Sequence, residues 1–304
     1  MNYVIETKNL TKKYKNFKAL DNLNLHVPDG SIYGLIGKNG AGKTTLIRLI
    51  CGLQKVDNGE YYIYGIKNTD KKILNARSRI GAIVEAPAIY ENLSARENVI
   101  EELIIHGVPS LEYADELLNL VGLSNIGNKK AGNFSLGMRQ RLGIAIALAG
   151  NPDMLILDEP INGLDPEGII DIRELILKLN KEKNITFLIS SHYLDELSKI
   201  ATYYGFVDRG KIINEISKDE LISKLKHRIV LKINDAKEFI PYLDKHKITY
   251  EIENNETINI YSNIKTPKLI SDLSKNNLEI IDILETTETL ENYFLNLIGG
   301  DNID

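Results

Sequence analysis

The sequence predicts an α/β chain: a mainly parallel sheet covered by helices, antiparallel β and helical subdomains attached to it, and a smaller α+β domain at the C-terminal end. Three observations predict it. From Ser31 onward, short apolar runs alternate with helical periods, as where crossover helices join parallel strands. Tyr3 to Val27 alternates apolar with polar side chains, the period of antiparallel strands with one wet face. After residue 222 the order of elements becomes βαββαβ, the ferredoxin-like split motif. The expected domains are residues 1–222 and 223–304.

In chain order, Pro28-Asp29-Gly30 is a turn that ends the first strands. Ser31 to Ile36 (SIYGLI) is a buried strand. Gly37-Lys38-Asn39-Gly40-Ala41-Gly42-Lys43-Thr44 follows: a Gly, four residues, then Gly-Lys-Thr, which is the phosphate-binding loop pattern. Thr45 to Ile50 continues as a helix. Further strands fall near Tyr61–Tyr64 and Ile80–Val84, and Ser94 to Leu148 reads as helical. Ser94 and Glu97 have capping-box spacing at the start of one helix. Strand, helix and strand return at Met154–Leu157, Pro166–Asn180 and Ile185–Ser190. In the second domain the elements are Arg228–Ile233 strand, Ala236–Lys245 helix, Ile248–Glu253 and Thr257–Ser262 strands, Pro267–Lys275 helix and Leu278–Leu284 strand. Thr289–Ile298 forms a terminal helix.

With 304 residues the chain can bury a sizeable core, and 43% hydrophobic with 26% charged residues is ordinary for a globular protein. A net charge of −5 argues against nucleic acid as the main partner. Cys51 is the only cysteine, so no intrachain disulfide can form, which suits a reducing cytosol; it reads as a small apolar residue after the phosphate loop. The N-terminus has no apolar core of signal-peptide type, and no run of about 18 apolar residues occurs, so a membrane role is expected only through a partner. No internal repeat or second phosphate loop is present, and nothing in the second domain looks catalytic.

The loop and its flanks make an anion site, because backbone N–H groups and a helix N-terminus point positive potential at phosphates. Lys43 would reach the β- and γ-phosphates, and the Thr44 hydroxyl would ligate Mg²⁺. Met154-Leu155-Ile156-Leu157-Asp158-Glu159 is an apolar strand ending in two carboxylates. Asp158 would hold Mg²⁺, and Glu159, one residue on, would orient or deprotonate an attacking water.

With these residues in hand, the first 220 or so positions resemble the nucleotide-binding subunit of an ABC transporter, a P-loop ABC ATPase domain. Phe134-Ser135-Leu136-Gly137-Met138 stands where that family has LSGGQ: Ser135 and Gly137 match, while Leu136 replaces a Gly and Met138 the Gln. The resemblance implies that Ser135 and Gly137 cap the γ-phosphate of ATP bound to a second copy of the chain. Asn162-Gly163-Leu164-Asp165 resembles the loop that connects the two sites, with Asp165 also an N-cap. His192 resembles the switch histidine that contacts the γ-phosphate and steadies Glu159. Tyr14 resembles the aromatic on which adenine stacks. Glu85 departs from the family, which has a Gln there as Mg²⁺ ligand; a Glu is charged and accepts only. That Glu, the stretch FSLGMRQRLGIA (Phe134 to Ala145) and the ending Leu290-Glu291-Asn292-Tyr293-Phe294 resemble the ATPases of bacitracin-type and lantibiotic-immunity exporters of Gram-positive bacteria.

The resemblance implies an ATP hydrolase on the inner face of the cell membrane, bound to an integral permease and closing head to tail on two ATP and Mg²⁺. Residues 37–45 would cradle the phosphates, Thr45 included. Ala86 to Asn98 would be where the permease docks; Ile89, Tyr90 and Leu93 suit either a docking groove or packing under the helical stretch. Three alternatives stand beside it: a soluble ABC ATPase acting on another target such as a ribosome or DNA, the ATPase of an importer or of a transporter for a different substrate, and a regulatory module in which the C-terminal domain does the main work and ATP is a switch. Roughly 90 residues between phosphate loop and signature leave no room for a long coiled-coil arm.

Overall fold

The computed structural model describes residues 2–225, 227–261, 264–276, 278–287 and 289–299. Ser262, the last residue of one expected strand, lies outside them. The chain divides into two compact units, Met1–Lys218 and Asp219–Asp304.

In the first unit β1 (Tyr3–Tyr14) and β2 (Phe17–Pro28) form a hairpin, followed by β3 (Ile32–Ile36), α1 (Lys43–Ile50), β4 (Asn58–Ile63), β5 (Ile66–Lys67), α2 (Ile73–Arg77) and β6 (Ile80–Ile83). Then come α3 (Ala95–Ile105), α4 (Tyr113–Leu120), α5 (Leu136–Leu148), β7 (Met154–Asp158), α6 (Pro166–Lys183), β8 (Thr186–Ser191), α7 (Leu194–Ile200), β9 (Tyr203–Asp208) and β10 (Lys211–Ser217). β1, β2, β4 and β5 make an antiparallel sheet in the order β2-β1-β4-β5. The larger sheet runs β10-β9-β3-β8-β7-β6, parallel except for β10 at its edge.

Burial explains the apolar runs. All five residues of β3 and of β7 are buried, and all six of β8, because helices cover both faces of a parallel sheet. Register then decides the site. Ile36 pairs with Ser191, Asp158 with Ser190, and Ile83 with Leu157. The carboxyl ends of four strands therefore meet along one edge, where open α/β sheets bind their ligands. Helix α5 lies close on β6: a Cβ on Gly81 would come 2.1 Å from the Ala147 carbonyl oxygen.

The stretch expected to be helical from Ser94 to Leu148 is three helices with single 3₁₀ turns at Ser124–Ile126 and Ala131–Asn133 between α4 and α5. Its capping box is present. The Ser94 hydroxyl accepts from the Glu97 N–H at 3.3 Å, and the Ser94 N–H donates to the Glu97 carboxylate at 2.6 Å. That backbone N–H holds the Glu97 carboxyl below its usual range.

The second unit contains most of α8 (Lys218–Lys224), then β11 (His227–Ile233), α9 (Ala236–Lys245), β12 (Tyr250–Asn254), β13 (Thr257–Ile260), α10 (Thr266–Lys275), β14 (Ile280–Thr287) and α11 (Leu290–Gly299). Its sheet is antiparallel in the order β12-β13-β11-β14, the split βαββαβ arrangement. Ile229, Leu231, Ile233, Ile258 and Ile260 point to one face and pack with Phe239 and Leu243 of α9 and Leu269 and Leu273 of α10. Among the described residues no helix is long and apolar enough to cross a membrane.

Candidate functional site

The phosphate loop sits between β3 and α1. Gly42 takes φ +111°, closed to a side chain, and a Cβ there would lie 2.5 Å from the Ala19 carbonyl oxygen. As N-cap of α1 it has no side chain to offer, so the first N–H groups of the helix stay available to an anion. No acidic residue stands in the first turn to oppose one. The loop opens on a cleft of about 270 Å³ lined by Lys38, Asn39, Gly40, Gly42, Lys43, Thr44 and Thr45, with Tyr14, Phe17, Ala19 and Glu159 completing the wall.

Lys43 is the buried cation of the cleft, only 6% exposed. Its Nζ donates to the Gly37 carbonyl at 2.6 Å and lies 3.3 Å from Glu159 Oε1. Glu159 follows β7 at φ +52°. Its Oε2 is 2.8 Å from His192 Nδ1 and accepts more weakly from the His192 N–H at 3.4 Å. One carboxylate is thus bracketed by an ammonium and an imidazole.

Ser190 binds both strand-end acids. Its hydroxyl donates to Asp158 Oδ1, while its Oγ and its carbonyl accept from the Glu159 N–H at 3.0 and 3.1 Å. Asp158 is 2% exposed, and an unpaired carboxylate at that depth would cost several kcal/mol, so the serine is a physical necessity. Thr44 on α1 and Asp158 on β7 offer hydroxyl and carboxylate oxygens, hard donors that fit Mg²⁺. Among the described residues no three His, Cys, Asp or Glu side chains gather around one point.

The other expected residues are placed as follows. Glu85, at φ +65°, is 62% exposed and paired with Arg48 Nη2. Tyr14 is at the tip of the β1–β2 hairpin, its hydroxyl donating to Gln54 Oε1 and Lys12 Nζ 5.7 Å from its ring centroid. Ser135 is the N-cap of α5, accepting from the Met138 N–H at 3.3 Å, and Asp165 is the N-cap of α6, accepting from the Gly168 N–H at 3.1 Å. Ser135, Gly137 and Asp165 line a second cleft of about 430 Å³, with Leu136 and Leu164 between them. Ala41 is buried under the loop. Tyr90 is exposed, while Ile89 and Leu93 are half-buried.

Sequence reasoning missed Ser190, Phe17 and Arg48. Phe17 had a signal, since a second aromatic three residues after Tyr14 falls beside it across a two-residue turn, and the two pair in the hairpin register. Ser190 and Arg48 had none in the local pattern.

Cys51 caps the end of α1, half-buried, and burial pushes its thiol up to about 12. A raised pKa keeps the thiol neutral, so at pH 8 the thiolate fraction is about a thousandfold below that of an ordinary cysteine. The folded chain should therefore react with Ellman's reagent far more slowly than the urea-unfolded chain, and comparable rates would contradict this.

Residues 20–162 match the family described as ABC transporter. The bacitracin transport ATP-binding protein BcrA of Bacillus licheniformis is 42% identical over the whole of both chains. The lantibiotic transport ATP-binding protein SrtF of Streptococcus pyogenes is 42% identical over 70% of this chain and 90% of its own. Among solved structures, the dimeric post-hydrolysis state of the ATP-binding cassette MJ0796 with ADP and Pi matches 70% of this chain and 98% of that one. Its TM-score is 0.64, and it is 30% identical. Such cassettes form dimers and work with membrane components in transporters. With the phosphate loop and strand-end acids described above, these matches place the chain in the ABC transporter family, as an ATP-binding, ATP-hydrolysing subunit.

Proposed function

We propose that this chain powers export of a peptide antibiotic of the bacitracin or lantibiotic class, by closing on ATP together with a second copy of itself. The observation that carries the pairing is the separation of two clefts on one unit. Lys43 lines one, whereas Ser135, Gly137 and Asp165 line the other. A helix N-terminus with a serine hydroxyl is an anion receptor, and the second copy's phosphates would be its ligand.

In this reading adenine stacks on Tyr14, with Phe17 beside it, and residues 37–45 hold the phosphates by backbone N–H groups and Lys43. Thr44 and Asp158, joined by Glu85, would hold Mg²⁺. When bound, Mg²⁺ neutralises phosphate charge during in-line transfer. Glu159 accepts the proton of the attacking water, and His192 fixes the orientation of that carboxylate. Lys43 takes up charge that develops on the phosphoryl oxygens. Hydrolysis weakens the closed pair, and opening is passed on through the surface that includes Tyr90 to a permease, on the cytoplasmic side of the membrane. The peptide-antibiotic class rests on the full-length similarity to a bacitracin transport protein and on Glu85.

The test is made in the native host. Deleting the chain, or replacing it with an inactive variant, should lower the inhibitory concentration of bacitracin or of a lantibiotic, and leave that of a ribosome-directed antibiotic unchanged. A mild-detergent pull-down should bring down a polytopic membrane protein. Unchanged susceptibility would remove the antibiotic class, and ribosomal proteins without a membrane partner would favour a soluble ATPase.

A further inference from the structure

The acidic side chains beside the phosphate loop each have a resident partner. Asp158 has Ser190, Glu159 has Lys43 and His192, and Glu85 has Arg48. The first two pairings belong to the phosphate chemistry. The third does not. Arg48 stands four residues after Thr44 on α1, so the two share one helix face about 6 Å apart along the axis. Glu85 arrives from the sheet, two residues past Ile83, whose partner Leu157 precedes Asp158. The Arg48–Glu85 pair thus ties the segment after β6 to the helix that carries the phosphate loop. Glu85 and Glu159 both leave their strands at positive φ, 65° and 52°, a conformation uncommon for non-glycine residues.

We infer that Arg48 is a positioning residue that competes with Mg²⁺ for the Glu85 carboxylate. The inference rests on the proposed reading of Glu85 as a metal ligand and adds what controls it. While the guanidinium engages Oε1, it holds the Glu85 carboxylate toward α1 and neutralises part of its charge, so the group offers a divalent cation less. The pair is 33% and 62% exposed, so water screens it and it is weak enough to open. A glutamine at this position carries no charge and would neither hold the arginine in the same way nor need releasing. Entry of metal and nucleotide then moves Glu85 from Arg48 to the metal and frees the segment after β6 from α1.

The test is a Mg²⁺ titration of ATP binding, read by the fluorescence of a mant-labelled ATP, with binding in EDTA as the metal-free control. Arg48→Ala should lower the Mg²⁺ concentration at half-saturation by about three- to fivefold, the range of a weak exposed pair. Arg48→Lys, which keeps the charge, should stay near the wild type. In a Glu85→Gln background, Arg48→Ala should have no effect on the Mg²⁺ midpoint. An unchanged or raised midpoint for Arg48→Ala, or the same shift in both backgrounds, overturns the inference. If Glu85→Ala, which removes the oxygen ligand altogether, leaves the midpoint at the wild-type value, the reading of Glu85 as a ligand fails first and takes the competition with it. Thermal unfolding of each variant separates these outcomes from loss of fold.

Discussion

Replacing Glu159 by Gln should lower ATP turnover by about 10²–10⁴-fold, the range for loss of a general base, while ATP still binds. The substitution keeps the shape of the side chain and removes its charge and basicity. An amide oxygen can still accept from the His192 ring, so orientation survives and proton acceptance does not. The charge matters in a second way. Lys43 is buried, and Glu159 Oε1 at 3.3 Å is its only carboxylate partner among the ion pairs of the described residues. With Gln there, the ammonium is left to the Gly37 carbonyl and gains more from an incoming phosphate. The variant should therefore bind ATP at least as tightly as the wild type and accumulate as an ATP-bound dimer. Turnover is read by phosphate release and the dimer by gel filtration with ATP. A wild-type rate would remove Glu159 from the base role. A slowed variant that stays monomeric with ATP would remove the paired closure.

What could be read beforehand follows from how each feature is encoded. The phosphate loop is eight contiguous residues whose spacing is dictated by one anion, so it is legible locally. The acids after Leu157 are legible because a buried parallel strand is an unbroken apolar run, and charge at its end has to mean something. Ser190 is different. It reaches Asp158 across 32 residues, through a register set by packing, and a serine at a strand end is otherwise unremarked. Arg48 and Glu85 are 37 residues apart and meet for the same reason. β9 and β10 went unread too. Gly205 weakens the strand signal of the run YYGFVD, and its reason is tertiary: the Tyr33 hydroxyl lies 2.0 Å from where a Cβ would sit. Local rules thus recover what one ligand or one strand dictates, and miss what the sheet brings together.

Lys43→Ala is the other large expected effect: about 10²-fold weaker ATP binding, from a charged hydrogen bond to phosphate worth about 1.5–3 kcal/mol at 1.4 kcal/mol per tenfold, plus a term that comes from Glu159. The second term follows from the contacts of Glu159. With the ammonium gone, the Glu159 carboxylate keeps only His192 and faces the phosphate cleft as an unneutralised negative charge. It then repels the ligand that Lys43 had attracted. The two substitutions should consequently be non-additive, as contacting charges are. Lys43→Ala with Glu159→Gln should bind ATP more tightly than Lys43→Ala alone, although it has lost one more polar group. Mant-ATP titration of the four proteins closes the cycle. Recovery in the double variant assigns part of the loss to the exposed carboxylate. No recovery would mean that the 3.3 Å contact carries no energy, and that Lys43 acts on phosphate alone.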